Sequence, residues 1–176
     1  VRQYGRIADN RFLNSNGGNL AAYLFALSQN HRSEYDNIVN AIRQVVPTFR
    51  EFELKPDRIN ADQISLQWFE RGSSYLFGPH QLPDGLLRFI CLATLLLQPQ
   101  EDMPDVIIID EPELGLHPAA LLLVGAFFRK VSLSKQIIVA TQSATLLDQF
   151  TPNEVIVVER TNQMSTFRRL DEANLQ

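Results

Sequence analysis

Apolar positions along the chain follow two different periods, and the places where the period changes mark out its elements. After a polar opening over residues 1–19, Leu20, Tyr23, Leu24 and Leu27 recur at helical spacing. Tyr35, Ile38, Val39, Ile42, Val45 and Val46 do so again after a polar break at 28–32, until Pro47 stops them. Two amphipathic helices are predicted, the first capped by the Asn- and Gly-rich cluster at 14–19. From Phe49 the period shortens to two. Phe52 and Leu54 alternate with charges, Ile64, Leu66 and Trp68 with polar residues, and Arg71-Gly72-Ser73-Ser74 turns the chain into Tyr75-Leu76-Phe77. That pattern predicts an antiparallel meander. Leu82-Pro83-Asp84-Gly85 then opens a nearly all-apolar stretch to Leu97, a helix that must be buried on most sides.

The last third alternates element types. A strand is predicted at 106–109, a helix at about 118–131, a strand at 136–140, a short helix at 144–149 and a strand at 155–158. Residues 164–170 can add an edge strand or hairpin. Alternating strands and helices imply an α/β fold with a parallel sheet covered by helices. Two helices and a short meander precede it. The expected division is a helical segment over 1–48 and an α/β lobe over 49–176, together forming one unit.

Composition narrows the classes. Of 176 residues 45% are apolar and 20% charged, an ordinary globular balance. A formal charge of −4 gives no electrostatic footprint for nucleic acid. The single cysteine, Cys91, lies in an apolar run and fits a reducing compartment, so a cytoplasmic protein with a buried structural thiol is expected. No apolar run is long enough to span a bilayer and no secretory signal is present, so no membrane partner is expected.

The residues richest in chemistry are Val106-Ile107-Ile108-Ile109-Asp110-Glu111-Pro112. Four β-favouring apolar residues suggest a strand buried on both faces, which delivers two carboxylates to the sheet edge where ligands bind in open α/β folds. Two adjacent carboxylates repel each other unless a cation compensates, and magnesium with nucleotide phosphates is a natural compensator. A plain solvated strand exit, ended by Pro112, is the alternative.

The run Asp110-Glu111-Pro112-Glu113-Leu114-Gly115-Leu116-His117-Pro118 closely resembles the Walker B and D-loop region of ABC-type ATPases of the SMC, RecF and OLD group, which includes many predicted AAA ATPases. The resemblance implies the C-terminal lobe of a three-layer, P-loop NTPase-like fold. It implies that Asp110 holds magnesium through water, that Glu111 polarises the attacking water, and that His117 is a D-loop residue at a protomer interface. Leu82-Pro83-Asp84-Gly85-Leu86-Leu87-Arg88 resembles the ABC signature segment, with Pro83 where relatives carry serine. By that likeness Asp84 and Gly85 bring a helix N-terminus to the γ-phosphate held by the opposite protomer; a simple Asp84 N-cap is the alternative. Thr141-Gln142-Ser143 resembles the H-loop, with Gln142 in place of the histidine that contacts phosphate and water. Gln142 can hydrogen bond but cannot titrate.

Arg88 has two readings, a phosphate contact or a salt bridge to a carboxylate. His31 and His80 read as surface polar residues. None of the 8 glycines begins a Gly-x-x-x-x-Gly-Lys-Ser/Thr loop. The resemblance is good from Phe49 onward and weak before it, and the chain opens on Val1 rather than Met. The expectation is therefore the C-terminal half of an ATPase domain, lacking Walker A and completed by an upstream P-loop lobe in a head-to-tail homodimer. Magnesium and ATP are expected for the complete domain, with weak or no binding by this chain alone. DNA is a partner by family resemblance only. Two other readings stay open: a degenerate, non-hydrolysing cassette acting as a partner-binding or regulatory module, and a different P-loop-like or nuclease fold with further acids converging on Asp110, for which Glu113 is the only close candidate.

Overall fold

The polar opening contributes a short strand that no period announces, β1 (Gly5–Arg6). Helices α1 (Leu20–Asn30) and α2 (Arg32–Val45) follow the two helical stretches. The break between them shrinks to His31, because the polar residues 28–30 prolong α1 on its outer side, where Ser28 Oγ donates to the Phe25 carbonyl at 2.7 Å. Asn19 stands at the N-cap of α1 but makes no side-chain cap. It is 1% exposed and ties down the opening loop instead, donating to the Asp9 and Phe12 carbonyls and accepting from the Asn14 amide. The computed structural model describes residues 4–171; residues 1–3 of the opening and 172–176 of the expected lobe lie outside the described residues.

The meander forms as β2 (Phe49–Glu53), β4 (Gln67–Glu70) and β5 (Leu76–Phe77), antiparallel in the order β2-β4-β5. The run around Ile64 breaks away from it as β3 (Gln63–Ile64), which pairs with β1. Helix α3 (Asp84–Leu97) follows, then β6 (Val106–Asp110), α4 (Pro118–Ser132), β7 (Gln136–Ala140) and the short α5 (Ala144–Leu147). Strands β6 and β7 run parallel in unbroken register from Val106↔Gln136 to Asp110↔Ala140. Below the pair, Lys135 Nζ meets Asp105 Oδ1 at 2.8 Å.

Two expectations change here. The strand expected at 155–158 becomes β8 (Ile156–Thr161), which leaves the parallel sheet and pairs antiparallel with β9 (Met164–Arg169). The turn between them places Asn162 and Gln163 at φ 49° and 66°, the left-handed pair that a tight two-residue hairpin requires. Among the described residues the parallel sheet therefore has two strands. Strand β6 is also covered on one face only: Ile107 is 4% exposed, while Ile108 on the other face is 73% exposed.

The core sits among the helices. Tyr23, Ile38, Phe89 and Phe128 from α1 to α4 join Phe49 and Trp68 of the meander in one apolar cluster, so residues on both sides of position 48 share it. Helix α3 runs through its middle and is buried on most sides, as its composition requires. Its one buried hydroxyl, Thr94, donates to the Ile90 carbonyl at 2.7 Å. Tyr23 donates to Gln98 Oε1 at 2.6 Å, so the buried polar groups here find partners.

Candidate functional site

Asp110 is the last residue of β6 and its side chain is exposed at the C-terminal end of the parallel pair. Glu111 leaves the strand with φ 46°, a left-handed backbone that costs a non-glycine residue about 1–3 kcal/mol. That cost is met by contacts on both sides. The Glu111 amide donates to the Ala140 carbonyl at 2.8 Å, and the Glu111 carbonyl accepts from Arg88 Nη1 at 3.0 Å. The strand ends in a turn at the second carboxylate, so the two acids do not follow the strict alternation of an extended chain, which would send them to opposite faces. Arg88 holds the backbone of Glu111 from the first turns of α3.

The start of α3 is built by close packing. Pro83 occupies the N-cap, Asp84 opens the helix, and no side chain supplies the cap. A Cβ on Gly85 would stand 1.9 Å from the carbonyl oxygen of Gly115, so only glycine lets the two backbones meet. Gly115 itself has φ 74°. The segment expected to face a phosphate therefore leans on the loop after Glu111 in its own chain. Between these two and the Ser15–Gly17 turn lies an open cleft of about 630 Å³, into which Cys91 faces. Burial pushes the Cys91 thiol up to about 11, so it is protonated and inert near neutral pH.

Gln142 follows β7 and is exposed. Its backbone is held from across the sheet: the Gln142 amide donates to Glu113 Oε1 at 2.9 Å. Burial pushes the Glu113 carboxyl up, and the backbone amides of Gln142, Glu113 and Ser143 with the Thr141 hydroxyl outweigh it, leaving the carboxyl below the usual glutamate value. Thr141 accepts from the Ser143 amide, and Ser143 Oγ caps α5 by accepting from the Leu146 amide. His117 caps α4, its Nδ1 accepting from the Ala119 amide at 3.2 Å.

The register of β6 and β7 sets Asp110 opposite Ala140, so residues 110–113 and 141–143 emerge side by side at one sheet end. Arg88 brings the start of α3 to the same place. Asp110, Glu111, Gln142 and the Asp84–Gly85 turn thus gather there, and His117 stands in the loop that follows, at the N-cap of α4. Glu113 turns to the 141–143 loop rather than to Asp110, and no group of three acidic, histidine or cysteine side chains able to hold a metal forms among the described residues. Gly115 is the site residue to which motif reading gave no role, and Glu113, the acid nearest Asp110 in sequence after Glu111, takes a different one from the convergence weighed for it. An acid followed by a glycine just past a strand is a readable signal; their partners are not.

A family model described as "AAA domain, putative AbiEii toxin, Type IV TA system" matches residues 3–148. The match takes in the helical opening, which the motifs covered weakly, and ends before the β8–β9 hairpin. A "Putative ABC transporter ATP-binding protein" of Methanosarcina acetivorans is 33% identical over 82 residues, 46% of this chain and 28% of that protein, so the chain spans well under half of this relative. Among solved structures, a chain from "Structural biochemistry of ATP-driven dimerization and DNA stimulated activation of SMC ATPases" superposes with TM-score 0.63 at 14% identity, covering 84% of this chain and 89% of that one. An SmcHead bound to the C-winged helix domain of ScpA gives TM-score 0.67 at 12% identity, covering 95% and 50%. An SMC head domain from Thermotoga maritima gives 0.53 at 16%, covering 86% and 52%. At such identities the likeness concerns the fold. With its helices, its parallel pair and residues 3–148 matched, the chain belongs to this AAA-domain family and has the fold of an ABC/SMC-type ATPase head.

Proposed function

We propose that this chain supplies the Walker B carboxylates and the signature turn of an ATP-hydrolysing domain, completed by a lobe that carries the P-loop. The observation that carries this reading is Glu111: a carboxylate on a strained backbone, held by Arg88 and Ala140 at the C-terminal end of a parallel strand. A hard, exposed carboxylate at such a strand end suits magnesium, which takes one or two protein carboxylates and fills its remaining positions with phosphate and water. Asp110 would hold it. Magnesium supplies the positive charge that offsets the phosphates as they react.

In this scheme Glu111 orients the attacking water and accepts its proton, and its fixed backbone keeps the carboxylate aimed before substrate arrives. Gln142 offers amide hydrogen bonds to the phosphate or water without carrying charge. The Asp84–Gly85 turn presents the positive end of α3 to a phosphate held by a second protomer, with His117 in the loop at that interface. The exposed apolar face of the parallel pair, Val106, Ile108 and Ile138, is the surface a P-loop lobe would cover. A head-to-tail homodimer follows from this division of the site between protomers.

The test is turnover in the protein supplied with its P-loop lobe. Glu111→Gln is expected to lower the rate by a factor of about 100 or more while ATP binding persists. Unchanged turnover would exclude Glu111 from water activation. A second reading is a non-hydrolysing cassette that docks a partner, and Pro83 at the signature N-cap together with the uncharged Gln142 favours it. Under that reading the parent binds ATP with no measurable hydrolysis, and Gln142→His does not create any. DNA stimulation and ScpA belong to the SMC relatives in whose descriptions they stand; for this chain DNA remains a proposal, to be tested by its effect on the same turnover.

A further inference from the structure

Glu113 is half-buried beside the site and reaches across to the loop after β7. Its Oε1 accepts from the Gln142 amide at 2.9 Å across 29 residues of chain, and no hydrogen bond reaches its Oε2, which is closed off from solvent. The loop it grips is otherwise organised from within, by Thr141 and Ser143. Glu113 is therefore the side-chain link between the loop after β6 and the loop after β7. A charged acceptor makes a stronger hydrogen bond to an amide than a neutral one, and the Gln142 amide is the donor across the sheet that stands 2.9 Å from this carboxylate. Those two facts tie the position of the 141–143 loop to the position of Glu113. The grip is on the backbone, so the Gln142 side chain stays exposed at the strand end that carries Asp110 and Glu111.

We propose that Glu113 is the positioning residue for Gln142, holding its backbone so that its amide side chain is presented at the site. The activity side of this inference rests on the ATPase reading above; the tether itself does not. The parallel register supplies the reach, since it brings residue 113 alongside residue 142. Because Gly115, two residues beyond, packs on the start of α3, the same loop connects Gln142 to the Asp84–Gly85 turn.

Amide hydrogen exchange on the intact 176-residue chain decides the tether. Glu113→Ala is expected to speed exchange of the Gln142 amide by roughly 10-fold or more, and Glu113→Gln, whose amide oxygen can still accept, to restore most of the protection. Unaltered exchange in Glu113→Ala overturns the proposal. Should that variant fail to fold, Glu113→Asp, one methylene too short to reach, gives the same reading. With the P-loop lobe present, Glu113→Ala is expected to lower kcat by about 10-fold with KM unchanged, and to have no further effect in a Gln142→Ala background. An equal loss in both backgrounds overturns action through Gln142. A parent without turnover counts against the ATPase reading alone, and exchange then decides the tether by itself.

Discussion

The helical core and the parallel pair are built from the same kinds of side chain and end in opposite surroundings. Ile38 of α2 is fully buried among α1, α3 and α4, whereas Ile108 of β6 is 73% exposed. The first lies on the apolar stripe of an amphipathic helix, the second in an unbroken apolar run. The difference is that α2 meets neighbours on its apolar stripe, while the β6–β7 sheet has helices on one face only. The helices share one buried cluster with the meander. The sheet region carries the carboxylates, the strained turn and the loops, and presents an apolar face of the kind that natural domains cover. Stability thus resides in one region and the candidate chemistry in the other, with Arg88 and Gly85 as the joints between them.

The contrast can be broken most directly by truncation. Ile38→Ala is expected to cost about 2–5 kcal/mol in denaturant unfolding, and Ile108→Ala to stay within about 0.5 kcal/mol in this chain. Equal costs would mean that the sheet face is covered after all. The joint itself comes next. Gly85→Ala pushes a methyl group into the Gly115 carbonyl and is expected to cost about 1–3 kcal/mol, read as a lower denaturation midpoint, because backbone rather than a flexible side chain must move. An unchanged midpoint would show that the start of α3 does not need this approach.

The smallest effect concerns pH. The Glu113 carboxyl lies below its ordinary value when folded, so its contribution to stability is present above the unfolded value of about 4.5 and is lost as pH falls through the folded one. The gap in melting temperature between the parent and Glu113→Gln should then be widest near neutral pH and close as the solution is acidified below pH 4. A gap that stays constant with pH would separate Glu113 from the acid dependence.

Much of this was readable because it is local. The helical spacing from Leu20 to Val46, the apolar run of α3 and the alternation that yields β6, α4 and β7 each depend on neighbours a few residues apart. The Asp110–Glu111 pair was readable in the same way, since a strand of Val and Ile ending in acids places them at its end. The departures share one cause. Residues 155–158 have the composition of a parallel strand, but the Asn162–Gln163 turn lets the next segment fold back, and the nearer antiparallel partner takes them. Asn19 looked like a cap and became the anchor of a loop, because the carbonyls of Asp9 and Phe12 come within its reach only when the opening folds over.

Taken by itself, the amino-acid sequence determined the longer elements, their order and the residue types at the end of β6, because backbone preference and hydrophobic period act over one or two turns of chain. Tertiary structure alone decided which faces those elements cover and which loops they join. Glu113 finds the Gln142 amide, and Gly85 finds the Gly115 carbonyl, only once the register of two strands and the packing of a helix have brought distant residues together. Such contacts have no period, and so leave no local trace to read.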